Sequence, residues 1–186
     1  LTTQLQNQDP LNPMDNAQVT SQMAQISTVD GISKLNSTLE KLTASSSEAQ
    51  QLQAAALVGH AVLVEGSRLE LVNGQSMGGV ELASPADSVK VTIKSASGAV
   101  VRELELGPQD AGIAEFVWDG KDASGTAVAS DGKYSFTAKA AQGTSTPVTT
   151  PLELSVVKSI ERTGSVTRLD VGQKDLVSID NIKQIY

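Results

Sequence analysis

Cysteine is absent from this 186-residue chain, and aromatic side chains are nearly so, at 3%. Without cysteine there is no disulfide, no thiolate nucleophile and no cysteine metal site. The single histidine, His60, is too few for a histidine-based metal site, and any Ser-His-Asp arrangement would have to use it. It stands in Leu57-Val58-Gly59-His60-Ala61-Val62, at the mouth of an expected strand and without a nucleophile elbow, so it reads as structural. No run of about 18 apolar residues occurs, so nothing spans a bilayer as a helix. No charged-then-apolar signal pattern is visible; the chain begins at Leu1 rather than Met, and an upstream segment is expected. Basic stripes are missing too. The net charge is −7, and residues 1–56 set Lys34 and Lys41 against Asp9, Asp15, Asp30, Glu40 and Glu48. That balance argues against phosphate-driven nucleic-acid binding and against an acidic membrane surface. The few aromatics are unevenly placed. Phe116, Trp118, Tyr134 and Phe136 lie close together, Tyr186 is last, and residues 1–56 hold none. The aromatic core therefore belongs to the middle of the chain.

What is present begins with Gln4-Leu5-Gln6-Asn7-Gln8-Asp9-Pro10-Leu11-Asn12-Pro13-Met14-Asp15-Asn16. Pro10 and Pro13 lack N–H donors and push the residues before them out of the α region. A helix entering at Leu1 should end near Gln8, and a new one should begin at Asp15 or Asn16, both good N-caps. This apolar-amide segment is too short to bury itself and makes sense if it docks. Residues 16–56 then read as helix. They lack proline, and apolar residues recur in steps of three or four at Val19, Met23, Ile26, Val29, Ile32, Leu35, Leu39 and Leu42, as one helix face requires. From Ile32 the spacing is that of a heptad seam, weakening to Ser46 and Ala49. Asp30-Gly31 suggests a bend, and Ser45-Ser46-Ser47 a break or hinge. A lone helix of this kind is marginal in water, so its stripe should meet another helix. Residues 1–56 are thus a helical arm with a proline-kinked tip. The candidate contact residues are Leu5, Pro10, Leu11, Pro13, Met14, Val19, Met23, Ile26, Ile32, Leu35, Leu39 and Leu42.

From Leu57 the pattern changes to period two. Strands are expected at 59–65, 68–72, 79–82, 88–95, 99–106, 112–118, 132–140, 151–159, 165–171 and 176–179. Val89, Val91 and Ile93 alternate with polar residues, as do Tyr134, Phe136 and Ala138. Turn signals such as Val72-Asn73-Gly74, Asp119-Gly120 and Ala123-Ser124-Gly125 separate the strands. Short strands about ten residues apart point to a sandwich or small barrel. Residues 78–150 fit one immunoglobulin-like or fibronectin-III-like sandwich. The flanks, 57–77 and 151–186, are each too short for a domain.

Chemistry finds little purchase. Asp119-Gly120-Lys121-Asp122-Ala123-Ser124-Gly125 lacks the EF-hand spacing; Asp119 and Asp122 should instead close a turn through side-chain-to-backbone bonds, the glycines taking positive φ. Gly74-Gln75-Ser76-Met77-Gly78-Gly79 has no Lys-Ser/Thr end and reads as a flexible domain junction. Glu103 and Glu105 share a strand face without a cleft, as an exposed sheet face would have them. No enzyme, cofactor or metal site is expected.

Two stretches carry a resemblance. The pattern QLxNQDPxxPxxN over residues 4–16, followed by Gln25-Ile26-Ser27-Thr28-Val29, resembles the N-terminal region of bacterial flagellar hook-capping proteins. Phe116-Val117-Trp118-Asp119-Gly120-Lys121-Asp122-Ala123-Ser124-Gly125 with Gly132-Lys133-Tyr134 resembles that family's immunoglobulin-like domain. The resemblance implies a mainly β fold with an N-terminal α-helical arm, in which the two flanks pair as a small Tudor-like β-barrel and the sandwich is inserted in it. It also implies a non-enzymatic scaffold at the distal tip of the growing hook, cytoplasmic before flagellar type III export and extracellular after it. Its partners would be the hook protein, whose subunits fold and add beneath it, and further copies of itself in a homo-oligomer, a pentamer by family. Freedom from cysteine suits a chain that must stay unfolded during export. The alternative is an immunoglobulin-like extracellular binding or adhesion module with a helical linker, which should show exposed aromatics.

Overall fold

The computed structural model describes residues 13–130, 132–164 and 166–186, with side chains from Ala17 onward. The chain divides into two compact units, one up to Ala49 and one from Gln50. Helix α1 (Pro13–Ala56) begins two residues earlier than the N-cap signals indicate. Proline is tolerated there because the N–H it lacks has no intrahelical partner in the first turn, and its fixed φ suits a helix. The helix also runs unbroken through Gly31 and Ser45-Ser46-Ser47, where a bend and a break were expected. Serine costs only a few tenths of a kcal/mol relative to alanine, too little to divide a helix of 44 residues. The helix expected to end near Gln8 lies outside the described residues.

The strands are β1 (Ala61–Glu65), β2 (Arg68–Leu69), β3 (Ser76–Leu82), β4 (Ala86–Ser95), β5 (Val100–Gln109), β6 (Gly112–Trp118), β7 (Tyr134–Ala141), β8 (Thr149–Val156), β9 (Ser159–Thr163), β10 (Val166–Asp170), β11 (Val177–Ser178) and β12 (Ile182–Ile185). They form three antiparallel sheets, ordered β12-β1-β8-β3-β6, β2-β7-β4-β5 and β11-β10-β9. Strands β9 and β12 were not foreseen, and β8 ends at Val156 instead of continuing to Ser159. The segment 74–79 is no loose junction. Val72 and Gln75 exchange two backbone bonds around Asn73 and Gly74, both at positive φ, which is the two-residue hairpin turn that Asn-Gly favours. Gly78 then lies within β3 under the Phe116 ring, where a Cβ would stand 2.7 Å from a ring carbon.

A sandwich core fills the space between the first two sheets. Val80, Leu82, Ala114, Phe116 and Trp118 meet Val89, Val91, Ile93, Tyr134, Phe136 and Ala140. Phe116 and Phe136 pack edge to face with ring centres 5.0 Å apart, and Trp118 and Tyr134 do the same. The polar tips are satisfied. Trp118 Nε1 donates to the Lys121 carbonyl and Tyr134 Oη to that of Ala129. These are core aromatics, as their alternation indicated.

A second core gathers Ala54, Val62, Val64, Val157, Leu169, Val171 and Val177. The last turns of α1 close it. Ala54 is fully buried, and Gln51 Oε1 accepts a 3.0 Å bond from Arg162 Nη1 on β9. Strand β1 is buried on both faces, because Leu63 points away from Val62 and Val64 yet is also inaccessible. Curling of the five-stranded sheet covers it. The curl brings edge strand β12 within side-chain reach of β3 and β6. Lys183 Nζ lies 2.9 Å from Glu81 Oε2, and Gln184 Nε2 and Tyr186 Oη each stand 2.7 Å from Glu115 Oε1. Burial, then the bond to Glu115, push the Tyr186 phenol up to about 12. His60 is tied to the same end through Nδ1, 3.0 Å from the backbone oxygen of Tyr186.

Among the described residues, one buried side-chain group in the second core's sheet is unpaired. Thr167, 7% exposed on β10, finds no hydrogen-bond partner for Oγ1 among them. A hydroxyl desolvated without a partner is destabilising. Thr167→Val keeps the shape and removes that defect, and should raise the unfolding free energy by about 1 kcal/mol. A lower urea midpoint in the variant would show that the hydroxyl is satisfied in solution.

Candidate partner-binding surface

The arm carries the most unusual surface of the molecule. Val19, Met23, Ile26, Val29, Ile32, Leu35, Leu39 and Leu42 are each 51–66% exposed. Large apolar side chains in an unbroken row mark a contact surface rather than a solvated face. Of the other candidate residues, Pro13 and Met14 open α1, while Leu5, Pro10 and Leu11 lie outside the described residues.

The row does not form the single stripe that its spacing suggested. Residues on an α-helix are about 100° apart, and Val19, Met23 and Ile26 share one side. Three consecutive steps of three follow, to Val29, Ile32 and Leu35. Each falls about 60° short of a full turn. No 3₁₀ segment absorbs the shortfall, since α1 is α-helical throughout Pro13–Ala56. By Leu35 the row has wound about half a turn. Ile32, Leu35, Leu39 and Leu42 therefore centre about 170° from Val19, Met23 and Ile26. The charges follow the same exchange: Asp30, Lys34, Lys41 and Glu48 fall in line with the first face, and Glu40 stands about 120° from the second. The hydroxyls of Thr28, Thr38 and Thr43 bond carbonyls four residues back, those of Ala24, Lys34 and Leu39.

The places inspected for chemistry are occupied by structure. Asp122 Oδ1 accepts from the backbone N–H groups of Ser124 and Thr126, each at 2.9 Å, and from Ser124 Oγ. These bonds, the Ser124 hydroxyl first, hold its carboxyl below the ordinary range. Asp119 Oδ1 accepts from Lys121 N, and Gly120 and Gly125 take positive φ, so the loop is a closed turn. Glu103 and Glu105 flank Lys90 on the open sheet face, at 3.5 and 3.0 Å.

Sequence reasoning missed one polar centre. Glu153, on β8, is 2% exposed. Its carboxylate accepts from Arg68 Nη2 at 2.6 Å, Arg68 Nε at 2.9 Å, Arg68 N at 2.9 Å, Gln173 Nε2 at 3.0 Å and Ser155 Oγ at 3.2 Å. Burial pushes this carboxyl up, but the Arg68 and Gln173 bonds together outweigh it and hold the group below its usual range. Gly66 leaves room for the carboxylate, onto which a Cβ would fall. Arg68 Nη1 continues to the Gly172 carbonyl at 2.7 Å. The centre ties β2 and β8 to the turn before β11. A Glu in an apolar strand is the only sequence signal for it.

Comparison with known proteins agrees with this anatomy. Residues 1–41 match the family described as the flagellar hook capping protein N-terminal region. Residues 66–144 match the FlgD Ig-like domain. The basal-body rod modification protein FlgD of Salmonella typhimurium is 40% identical over 193 residues, covering all of this chain and 83% of that protein. Among solved structures, FlgD of Xanthomonas campestris, described in terms of hook capping essential for flagellar assembly, superposes with a TM-score of 0.60 at 28% identity. It covers 74% of this chain and 99% of that one. FlgD of Pseudomonas aeruginosa gives 0.59 at 26% identity, over 70% and 98%.

Proposed function

The chain belongs to the flagellar hook-capping protein family, a family of scaffolds rather than enzymes, and from that membership we propose that it caps the distal end of the growing hook and promotes folding and insertion of hook subunits. The observation that carries this reading is end-to-end similarity at 40% identity to a basal-body rod modification protein, joined to an arm whose large apolar residues are exposed. The partners are the hook protein and further copies of the chain, as a pentamer on the family's pattern. Their contacts run along Val19, Met23, Ile26, Ile32, Leu35, Leu39 and Leu42, and at the tip along Leu5, Pro10, Leu11, Pro13 and Met14. The protein works outside the cell at the hook tip after export from the cytoplasm. An adhesion module would need a face of exposed aromatics, whereas Phe116, Trp118, Tyr134 and Phe136 are all buried and only Tyr186, its hydroxyl bonded to Glu115, is exposed.

The β part is read as a sandwich centred on 78–150 set into a small Tudor-like barrel built from 57–77 and 151–186. Two separate apolar clusters support this. Strands β3 and β8 run through both boundaries and make the joint continuous, and β2 pairs with β7 on the sandwich side.

The test is hook growth in a strain lacking its own cap. Leu35→Asp with Leu39→Asp should abolish capping while Trp118 fluorescence stays native. Each leucine forfeits roughly 1.5–3 kcal/mol of desolvation on docking. Normal hooks from the double variant would sink the arm's assigned role.

A further inference from the structure

Strand β8 has a neighbour along the whole of one side and a gap on the other. It pairs with β1 from Leu152 to Val156 without a register shift. Pro151 O accepts from Gly66 N, and Val157 exchanges bonds with Gly59 N and the His60 carbonyl. The odd-numbered residues of this stretch therefore address β1. Backbone groups alternate in direction along a strand, so Leu154, Val156 and Lys158 address the far side. There β3 pairs only as far as Gly78 with Glu153. Met77 and Leu154 would form the next pair and do not. Lys158 N is taken up again by the Asp170 carbonyl at the end of β10. Between these two points no strand among the described residues pairs with Val156 on that side. A cleft of about 510 Å³ opens there.

We propose that this gap takes an extended segment of a partner chain as an added strand, with apolar side chains at alternate positions and a carboxylate at the Lys158 end. The contact lies on the β unit, goes beyond those assigned to the arm and does not depend on them.

The backbone is the first reason. An open strand edge is a template for another chain unless a bulge, a proline or an inward charge blocks it. The pairing of β8 is regular on both sides, and residues 154–156 are Leu, Ser and Val. The side chains are the second. Met77 and Val117 stand opposite each other on β3 and β6, and by alternation Leu154 and Val156 share their sheet face. All four line the cleft. Val117 is 59% and Val156 51% exposed. An added strand covers such a row with every second residue. Charge is the third. Arg68 Nη1 bonds the Gly172 carbonyl, and Lys158 Nζ lies 2.8 Å from where a Cβ on Gly172 would stand. Arg68 is matched by Glu153, and Glu70 acts on the same guanidinium. Lys158 has no ion pair among the described residues. A carboxylate on the added strand supplies one. Four to six residues, roughly 13–20 Å when extended, span the gap.

The experiment uses the full chain and blocked eight-residue peptides of alternating valine and threonine with one aspartate, placed first in one peptide and last in another. Amide hydrogen exchange reads the ladder directly. A saturating peptide should slow exchange at Val156 about tenfold or more and leave Ser155, already bonded to β1, unchanged. Val156→Pro removes the N–H that faces the gap and leaves the β1 ladder intact, as proline does on an open edge. It should weaken peptide binding roughly tenfold, with Trp118 fluorescence native. Lys158→Glu is surface-exposed and decides the matter if the proline variant does not fold. It should weaken the aspartate peptide about threefold, and a peptide with lysine in place of aspartate should regain that loss. Protection at Val156 together with the charge swap supports the added strand. Protection that appears only at β5 or β12, a peptide that binds equally well to both variants, or no binding by either peptide overturns it.

Discussion

Phe136→Ala should remove about 3–5 kcal/mol of stability, which is most or all of what a domain of this size holds. The ring is 1% exposed. It pairs with Ile93 across β4 and β7 and packs edge to face on Phe116. Truncation leaves a hole bordered by strands from both sheets, and two fixed sheets do not close over it readily. The urea midpoint should fall, and Trp118, fully buried in the same core, should become open to iodide. Val117→Ala is the control. It lies on β6 beside Phe116 but faces outward at 59% exposure, so its loss should stay within about 0.5 kcal/mol. Similar losses for the two variants would mean that the sandwich core is not where the alternation places it.

That core was legible because period two and core burial coincide. Val89, Val91, Ile93, Tyr134 and Phe136 each follow a polar residue, and each is buried. Strands that carry no such alternation were not legible. In β9, Ile160 is the one large apolar residue of Ser159–Thr163, and β12 has four residues at a sheet edge. Both are strands because a neighbour supplies a ladder, and that information is not local. The Gly-rich run before β3 misled for a similar reason, since the absence of a side chain at Gly78 answers a contact with Phe116 nearly forty positions away. On the arm the apolar residues themselves were legible, but their arrangement was not. Steps of three and four both look helical, yet three threes in a row rotate the face, and only an unbroken α-helix makes that rotation real.

The polar centre around Glu153 gives the other large effect. Arg68→Met should destabilise the β unit by about 3 kcal/mol at pH 7, near the lower end for breaking a buried pair, because the Arg68 side chain is itself 53% exposed and water can reach the vacancy. The pH dependence carries the sharper test. In the native protein the Glu153 carboxyl is held below its usual value near 4.5. A depressed folded-state pKa contributes stability that is present above the unfolded value and lost as pH falls through the folded one. The native chain should therefore weaken on acidification below about pH 4.5. In Arg68→Met the guanidinium bonds and charge are gone, and burial is opposed only by the backbone N–H of position 68 and the Gln173 and Ser155 bonds, so the carboxyl is expected to be pushed up instead. A raised pKa reverses the sign, and the variant recovers as the pH falls and the carboxyl takes a proton. The stability difference between the two proteins should thus be greatest near neutrality and shrink through the ordinary carboxyl range. Urea unfolding from pH 7 to pH 4 measures it. A difference that stays constant over that range would assign the loss to Arg68 packing rather than to a stranded carboxylate, and would remove Glu153 as the charged tie between β2, β8 and the turn before β11.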